Sequence, residues 1–122
     1  MLNILPGFPD KVLAIEGKGE ITAEDYKIVL IPAALSKLKR YDHLRLFCHL
    51  GPEFKGLSSG AMWEDLKLGV GHWGQWGRAA IVSDIKWIVD GTRMFAPLFH
   101  SPMRAFPNAE YDAAKAWVME GD

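Results

Sequence analysis

The residues that could do chemistry begin with Ser58 and Ser59, two adjacent hydroxyls followed by Gly60 where a stretch of helical spacing starts. A serine at a helix start accepts a hydrogen bond from a backbone N–H two or three residues on, worth about 1 kcal/mol. The free N–H groups of the same turn attract anions, and a serine there can receive a phosphate. The sequence therefore predicts a capping pair, with an anion site or phosphoacceptor as the functional alternative.

Histidine, cysteine and carboxylate side chains supply the other reactive groups, but their spacing fits no motif. The four histidines are scattered along the chain, so we expect no metal site. Cys48 shares one face of a predicted strand with leucines, where a buried thiol is inert, and His49 points to the opposite face. Glu64 and Asp65 are interpreted as part of a solvated helix face. We therefore expect no catalytic residues, no cofactor and no enzymatic activity.

Tryptophans offer a different kind of site, one that binds rather than reacts. Trp63 lies one helical turn from Leu66 and Val70, which predicts a place in the core. Trp73 and Trp76 stand among glycines, where they could line a pocket or an interface, or simply cover the end of a sheet. A later predicted helix could bind a small apolar ligand or bury itself in a symmetric dimer. Its bulky apolar residues are Trp87, Met94, Phe95, Leu98 and Phe99.

Strands and helices that alternate along the chain must position these residues. Segment 11–21 alternates and then breaks at glycines, which predicts two short strands. A helix capped by Thr22 is expected to kink or divide at Pro32. The buried strand 44–50 is expected to end at the following Gly-Pro pair, and a loop over 51–59 then leads into the second helix.

The second half continues the alternation and sets the fold class. The predicted elements are a strand at 78–84, a helix at 85–99, a short strand at 103–107 and a last helix at 108–120 capped by Asn108. Such alternation predicts one α/β domain over 1–122, with a mixed, mostly parallel sheet of about five strands and four or five helices. Ligands of such sheets bind where loops leave the carboxyl ends of strands, and the predicted 51–59 loop is one such exit.

The composition of the chain limits the kinds of partner and the cellular compartment that we expect. The 14 basic and 15 acidic residues give a net charge of −1, which argues against nucleic acid as a partner. No apolar run approaches the roughly 20 residues of a membrane-spanning helix. One cysteine allows no internal disulfide, and the short apolar start is broken by prolines and lacks a basic leading region. We therefore expect a cytoplasmic protein.

The order of elements and four stretches of residues resemble a known family. The stretches are "ITAEDYKIVLIPA", "LRLFCHLGPEFKGLSSGAMWEDLKLGVGH", "RAAIVSDIKWI" and "FPNAEYDAAKAWV", which together span about Thr22 to Val118. They resemble the SpoIIAA-like family, whose fold is shared with STAS domains, among them the anti-sigma-factor antagonists. The combination of G-A-M-W-E-D with a proline inside the first helix makes the resemblance fairly specific.

The resemblance implies a regulatory or binding module without enzymatic activity. In the antagonists, a partner kinase phosphorylates a serine at the start of the helix after the second major strand, and the phosphate blocks docking. The matching positions here are Ser58 and Ser59, although antagonists usually carry an aspartate directly before the serine, where this chain has Gly56 and Leu57. The family has also been compared with Sec14-type lipid-binding domains, which implies a small apolar ligand as the alternative to a protein partner.

Overall fold

A computed structural model describes residues 1–71, 73–99 and 101–120. Five strands form one sheet in the order β1-β2-β3-β4-β5. Strand β1 pairs antiparallel with β2, and the other neighbours are parallel. The predicted α/β class with a mixed, mostly parallel five-stranded sheet is therefore confirmed. The strands are β1 Leu2–Ile4, β2 Val12–Ile21, β3 Leu44–Leu57, β4 Trp76–Val82 and β5 Met103–Phe106.

The helices connect the parallel strands and cover both faces of the sheet. The α-helices are α1 Ala23–Asp25, α2 Ile31–Leu38, α3 Ser59–Gly71, α4 Lys86–Phe95 and α5 Tyr111–Met119. A π-helical segment, Tyr26–Leu30, joins α1 to α2. Short 3-10 turns lie at Trp73–Gln75, Ala96–Leu98 and Asn108–Glu110. No described helix has the length and apolar character needed to cross a lipid bilayer.

The first helical region follows its sequence signals. The Thr22 hydroxyl accepts a hydrogen bond from the Asp25 N–H at 3.3 Å, and the Asp25 carboxylate accepts one from the Thr22 N–H at 2.8 Å. This reciprocal capping box satisfies two backbone donors at the helix start. Pro32 lies in the first turn of α2, directly after the π-helical segment, so the predicted division of the helix is confirmed.

Two predictions about the strands are wrong. Segment 11–21 contains one strand instead of two, because the glycines produce only shifts of register between Gly17 and Glu20. Strand β3 continues through Pro52 to Leu57, where a loop was expected. Pro52 is tolerated because it falls between the register pairs at Leu50 and Phe54, where the ladder is interrupted and no N–H is required.

The start of the last helix also departs from its prediction. Asn108 opens a 3-10 turn instead of capping an α-helix, and no side-chain capping bond is made. Its backbone N–H donates to the Asp84 carboxylate at 2.9 Å, which ties the turn to the end of β4. The α-helix itself begins three residues later, at Tyr111.

Two apolar cores lie on opposite faces of the sheet. The predicted alternation of strand 44–50 is confirmed, because Leu44 faces the core under α1–α4 and Phe47 faces the core under α5. Phe47 packs between the rings of Phe8 and Tyr111, with centroids 4.7 and 5.1 Å away. Two arginines fix the far end of α5: Arg45 donates to the Val118 carbonyl and Arg78 to the Trp117 carbonyl.

Candidate functional site

Ser58 joins the end of β3 to the start of α3. Its hydroxyl accepts a hydrogen bond from the Ala61 N–H at 3.0 Å, and its N–H donates to the Ile21 carbonyl at 2.9 Å. The predicted capping role of Ser58 is confirmed. Gly60 serves packing, because a Cβ there would lie 3.0 Å from the Ala23 Cβ, tighter than an ordinary contact. The start of α3 is therefore held firmly beside α1.

Ser59 has a different environment from Ser58. It is exposed, and it lies on the same outer side of α3 as Met62 and Trp63, three and four residues on. Trp63 is 60% exposed, so its predicted place in the core is wrong. The inner side of α3 is occupied instead by Ala61, which is fully buried. We call the set Ser59, Met62 and Trp63 the α3 surface.

The two carboxylates of α3 are not a solvated pair. Glu64 is only 7% exposed, and its carboxylate lies 3.1 Å from the Lys67 Nζ and 3.9 Å from the Lys27 Nζ. The interpretation of Glu64 as a solvated residue is therefore wrong. The two lysines offset the cost of removing its charge from water.

Asp65 makes a contact that the sequence did not reveal. The Tyr26 hydroxyl donates to the Asp65 carboxylate at 2.9 Å and links the π-helical segment to α3. Part of the Asp65 side chain is exposed to solvent. The protein atoms around its carboxyl group nevertheless raise its pKa, because they partly remove the charge from water. The hydrogen bond from Tyr26 offsets part of that shift. The two residues are 39 positions apart, so only the packing of α3 on the first helical region brings them together.

Cys48 lies nearby on the same side of the sheet. It is half-buried beside Leu46 and Leu50 in the partly covered layer under the helices. Burial raises the pKa of its thiol to about 12, with a smaller contribution from the Asp65 charge. At neutral pH the group is therefore a neutral thiol and a poor nucleophile, as the sequence predicted.

The remaining aromatic candidates separate into a buried and an exposed group. Trp76 begins β4 and is buried in the core, which agrees with the alternative that it covers the end of the sheet. Trp73 begins a 3-10 turn, and its side chain lies outside the described residues. The exposed group projects from α4 and the 3-10 turn that follows it. Its members, which we call the α4 surface, are Trp87, Met94, Phe95 and Leu98.

The α4 surface has one connection to the core and is otherwise open. The Trp87 ring lies 6.2 Å from the Phe54 ring, centroid to centroid, while 59% of Trp87 stays exposed. Met94 is 75% exposed. Phe99, which the sequence grouped with them, is half-buried against the core.

The structure also has polar clefts, which are lined by residues of neither surface. One of about 210 Å³ contains the pair Glu16 and His49, whose Oε2 and Nδ1 atoms are 3.2 Å apart, with Lys18 also close to Glu16. Tyr111 stands edge-on to the imidazole at 5.2 Å. The parallel register that puts position 16 beside position 49 could have revealed this pair, but the sequence gives no register. Within the described residues, no group of three or more histidine, cysteine or acidic side chains is arranged to hold a metal ion.

Comparisons with known proteins agree with this architecture. The model of the SpoIIAA-like family matches residues 12–119. The fold is also similar to the crystal structure, at 2.25 Å resolution, of an uncharacterised protein of the DUF3478 family with a SpoIIAA-like fold from Shewanella loihica PV-4. That likeness has a TM-score of 0.71 and 25% sequence identity, and it covers 97% of this chain and 92% of the other. The comparison with curated proteins found no match. Because the family match extends over most of its length, the chain belongs to the SpoIIAA-like family.

Proposed function

We propose that this protein is a non-enzymatic binding module of the STAS type that docks a partner protein through the α3 surface. The observation that carries the proposal is the exposure of Ser59, Met62 and Trp63 together on one side of a capped helix. Large apolar side chains that a domain leaves uncovered mark interaction sites more often than isolated exposed residues do. Tryptophan is also among the residues that contribute most to binding at protein interfaces.

The form of the α3 surface favours a protein over a small molecule. Small ligands bind in concave sites that bury most of their area, whereas these side chains stand on the outside of a helix. The support beneath them is rigid, because Ser58 caps the helix and Gly60 packs tightly against Ala23. A preorganised helix face reduces the entropy lost on docking.

Ser59, rather than Ser58, is the proposed phosphoacceptor. The Ser58 hydroxyl already accepts the Ala61 N–H, whereas Ser59 is exposed beside Met62 and Trp63. A phosphate would add about −1.5 to −2 charges at the helix start, where the dipole favours negative charge. The fold would therefore tolerate the phosphate, while the apolar contact with the partner would be lost.

The test is a quantitative capture of binding partners from an extract of the native cells on immobilised protein. Wild type is expected to retain a partner that Trp63→Ala and Ser59→Asp lose. Ser59→Ala should keep that partner, because it adds no charge. Leu35→Ala is the matched control, since it truncates an exposed apolar residue on α2. Equal capture by wild type, Trp63→Ala and Ser59→Asp would disprove the proposal.

A second candidate function, a carrier of a small apolar ligand, has support from the sheet. Beneath the α1–α4 side, Leu46, Leu50 and Ile81 are only half-buried, so the helices cover this face incompletely. An apolar molecule could complete that cover. Native mass spectrometry of freshly purified protein is expected to show a reproducible added mass if the protein is a carrier. The bare mass in repeated preparations would exclude it.

A further inference from the structure

We infer that a cleft at the amino ends of strands β2, β3 and β4 binds the phosphate group of a small molecule. The cleft has a volume of about 410 Å³, a size typical of small-molecule sites. We call it the basic cleft. It shares no residue with the α3 surface or the α4 surface, so its ligand is independent of the proposed docking site. The titratable side chains other than tyrosine that line it are Lys11, Asp42, His43, Arg45 and Arg78.

The charge of the basic cleft favours an anion. Lys11, Arg45 and Arg78 are cationic at neutral pH, and Asp42 is the one acidic residue among those that line the cleft, which leaves an excess of two positive charges. The chain as a whole has a net charge of −1, so the excess is local. A phosphate monoester carries about −1.5 to −2 charges, which matches this excess. The nearby carbonyl end of α5 adds only about −0.5 of a charge.

A β-bulge in β4 brings the two arginines to the same side of the sheet. Between Leu44 and Leu46, strand β3 has one residue, whereas the facing part of β4 has two. In a regular strand, Trp76 and Arg78 would face the same side. Because of the extra residue, Trp76 lies in the core under α1–α4, while Arg78 reaches the end of α5 on the other side, as Arg45 does.

Both guanidinium groups are held in place through Nη1. The Arg45 Nη1 donates to the Val118 carbonyl at 2.8 Å, and the Arg78 Nη1 donates to the Trp117 carbonyl at 2.9 Å. Gly77 lets the Arg45 side chain lie close to β4, because a Cβ there would lie 3.2 Å from the Arg45 Cγ, tighter than an ordinary contact. Positive groups that are already positioned lose less entropy when a ligand binds.

Arg78 keeps hydrogen-bond donors for a ligand. Within the part of the chain that the structure describes, it makes one hydrogen bond, through Nη1, so its Nε and Nη2 groups donate to no protein atom. These two groups present parallel N–H bonds, a geometry that matches two oxygens of a phosphate. Lys11 and Arg45 make further contacts within the protein, and their contribution to the site is charge.

Isothermal titration calorimetry with glycerol 3-phosphate, at constant ionic strength and about pH 7.5, tests the site. Wild type is expected to bind saturably with a dissociation constant below about 10 mM. Arg78→Gln should weaken binding at least about tenfold, because it removes a charge and both open donors. Arg104→Gln is the matched control and should bind as wild type does. Arg78 and Arg104 both lie over the Trp117 ring, at 5.0 and 5.5 Å, but Arg104 does not line the cleft.

Two exposed lining residues give a second test, which stands even if Arg78→Gln does not fold. His43→Glu should weaken binding, because it puts a carboxylate into the basic cleft. Asp42→Asn should strengthen binding, because it removes the acidic residue that lines the cleft. Circular dichroism melts establish which variants are folded.

Three results would overturn the site. The first is wild-type protein that shows no saturable binding up to about 10 mM. The second is equal affinity in the folded variants Arg78→Gln and Arg104→Gln, or in His43→Glu and Asp42→Asn. The third concerns the chemistry of the ligand: acetate that binds as tightly as glycerol 3-phosphate would overturn the assignment to a phosphate group.

Discussion

Helices α4 and α5 pack on opposite faces of one sheet and present different outer surfaces. Helix α5 buries Ala114 and Val118 completely, and it exposes small or charged residues such as Asp112 and Ala116. Helix α4 buries Ile88, yet it exposes Trp87 and other large apolar side chains. The outer side of α5 is polar, as expected for a helix that contacts only its own domain. The outer side of α4 is apolar, which is typical of a helix face that binds another molecule.

The sheet shows the same difference beneath the helices. On the α5 side, Phe47, Ala80 and Val82 have no measurable exposure. On the other side, Leu46 and Ile81 are only half-buried, although several helices lie over them. The comparison indicates that the α5 side of the sheet is covered more completely at these central positions, although both sides contain fully buried residues such as Leu44 and Phe47. The opposite side carries the apolar surfaces available for binding.

The largest expected effect comes from a substitution in the core under α5. Phe47→Ala should lower the free energy of unfolding by about 3–5 kcal/mol, because it leaves a cavity between Phe8 and Tyr111. Met94→Ala on the opposite side should change it by less than about 0.5 kcal/mol when measured on the monomer. Urea denaturation of both variants provides the measurement. Similar losses for the two would refute the contrast between the sides.

The next effect concerns the contact that fastens α3 to the first helical region. Tyr26→Phe removes the hydroxyl that donates to Asp65 and should cost about 1–2 kcal/mol. Tyr41→Phe is the matched control, since its hydroxyl donates to the exposed Asp10 and should cost less. Urea midpoints at neutral pH compare the two, and equal midpoints would mean that the Tyr26 contact contributes no more than a surface contact.

A smaller effect separates the two serines. Ser58→Ala should cost about 1 kcal/mol, because the Ala61 N–H loses its capping partner. Ser59→Ala should change stability by less than about 0.5 kcal/mol, because Ser59 is exposed. Thermal melts of the two variants make the comparison. A larger loss at Ser59 would reverse the assignment of capping and surface roles.

The smallest effect is a pH dependence. Since burial raises the folded-state pKa of Asp65 above its unfolded value, the folded protein binds this proton more tightly. The contribution of Asp65 to stability therefore falls as pH rises from the unfolded pKa through the folded pKa. Asp65→Asn has no proton to lose, so its stability relative to wild type should increase as pH rises above the unfolded pKa of about 3.9. Denaturation across that range measures the difference, and a gap that narrows with rising pH would contradict the shift.

The sequence predicted the features that depend on local chemistry. Thr22 and Ser58 were identified as caps, Pro32 as a helix division, and strand 44–50 by its alternating faces, because each signal lies within a few residues. Features that depend on distant partners were missed. Strand β1 has three residues and is stabilised by pairing with β2, and the contact between Tyr26 and Asp65 spans 39 positions.

Trp63 shows why the candidate site was harder to predict than the fold. Its spacing from Leu66 indicated an inward position, on the assumption that the largest apolar residues mark the inner side of a helix. The buried apolar residues of α3 are instead Ala61 and Leu68, and α1 approaches most closely at Gly60, where a Cβ would lie 3.0 Å from the Ala23 Cβ. Ser59 was identified at the sequence level as part of a pair, but only the packing separates its role from that of Ser58.

The length of β3 also matters for solubility. Its register with β4 ends at His49–Val82, while the strand continues to Leu57, and the described residues supply no strand on that side beyond His49. An unpaired strand edge is a template for aggregation between chains. Pro52 lacks an N–H to offer, Lys55 adds a charge, and Gly56 adopts a φ of 130° that an added strand would not match. These residues hinder the pairing of this strand edge with another chain. The double variant Pro52→Val, Lys55→Val should therefore form fibrillar aggregates more readily while keeping its fold.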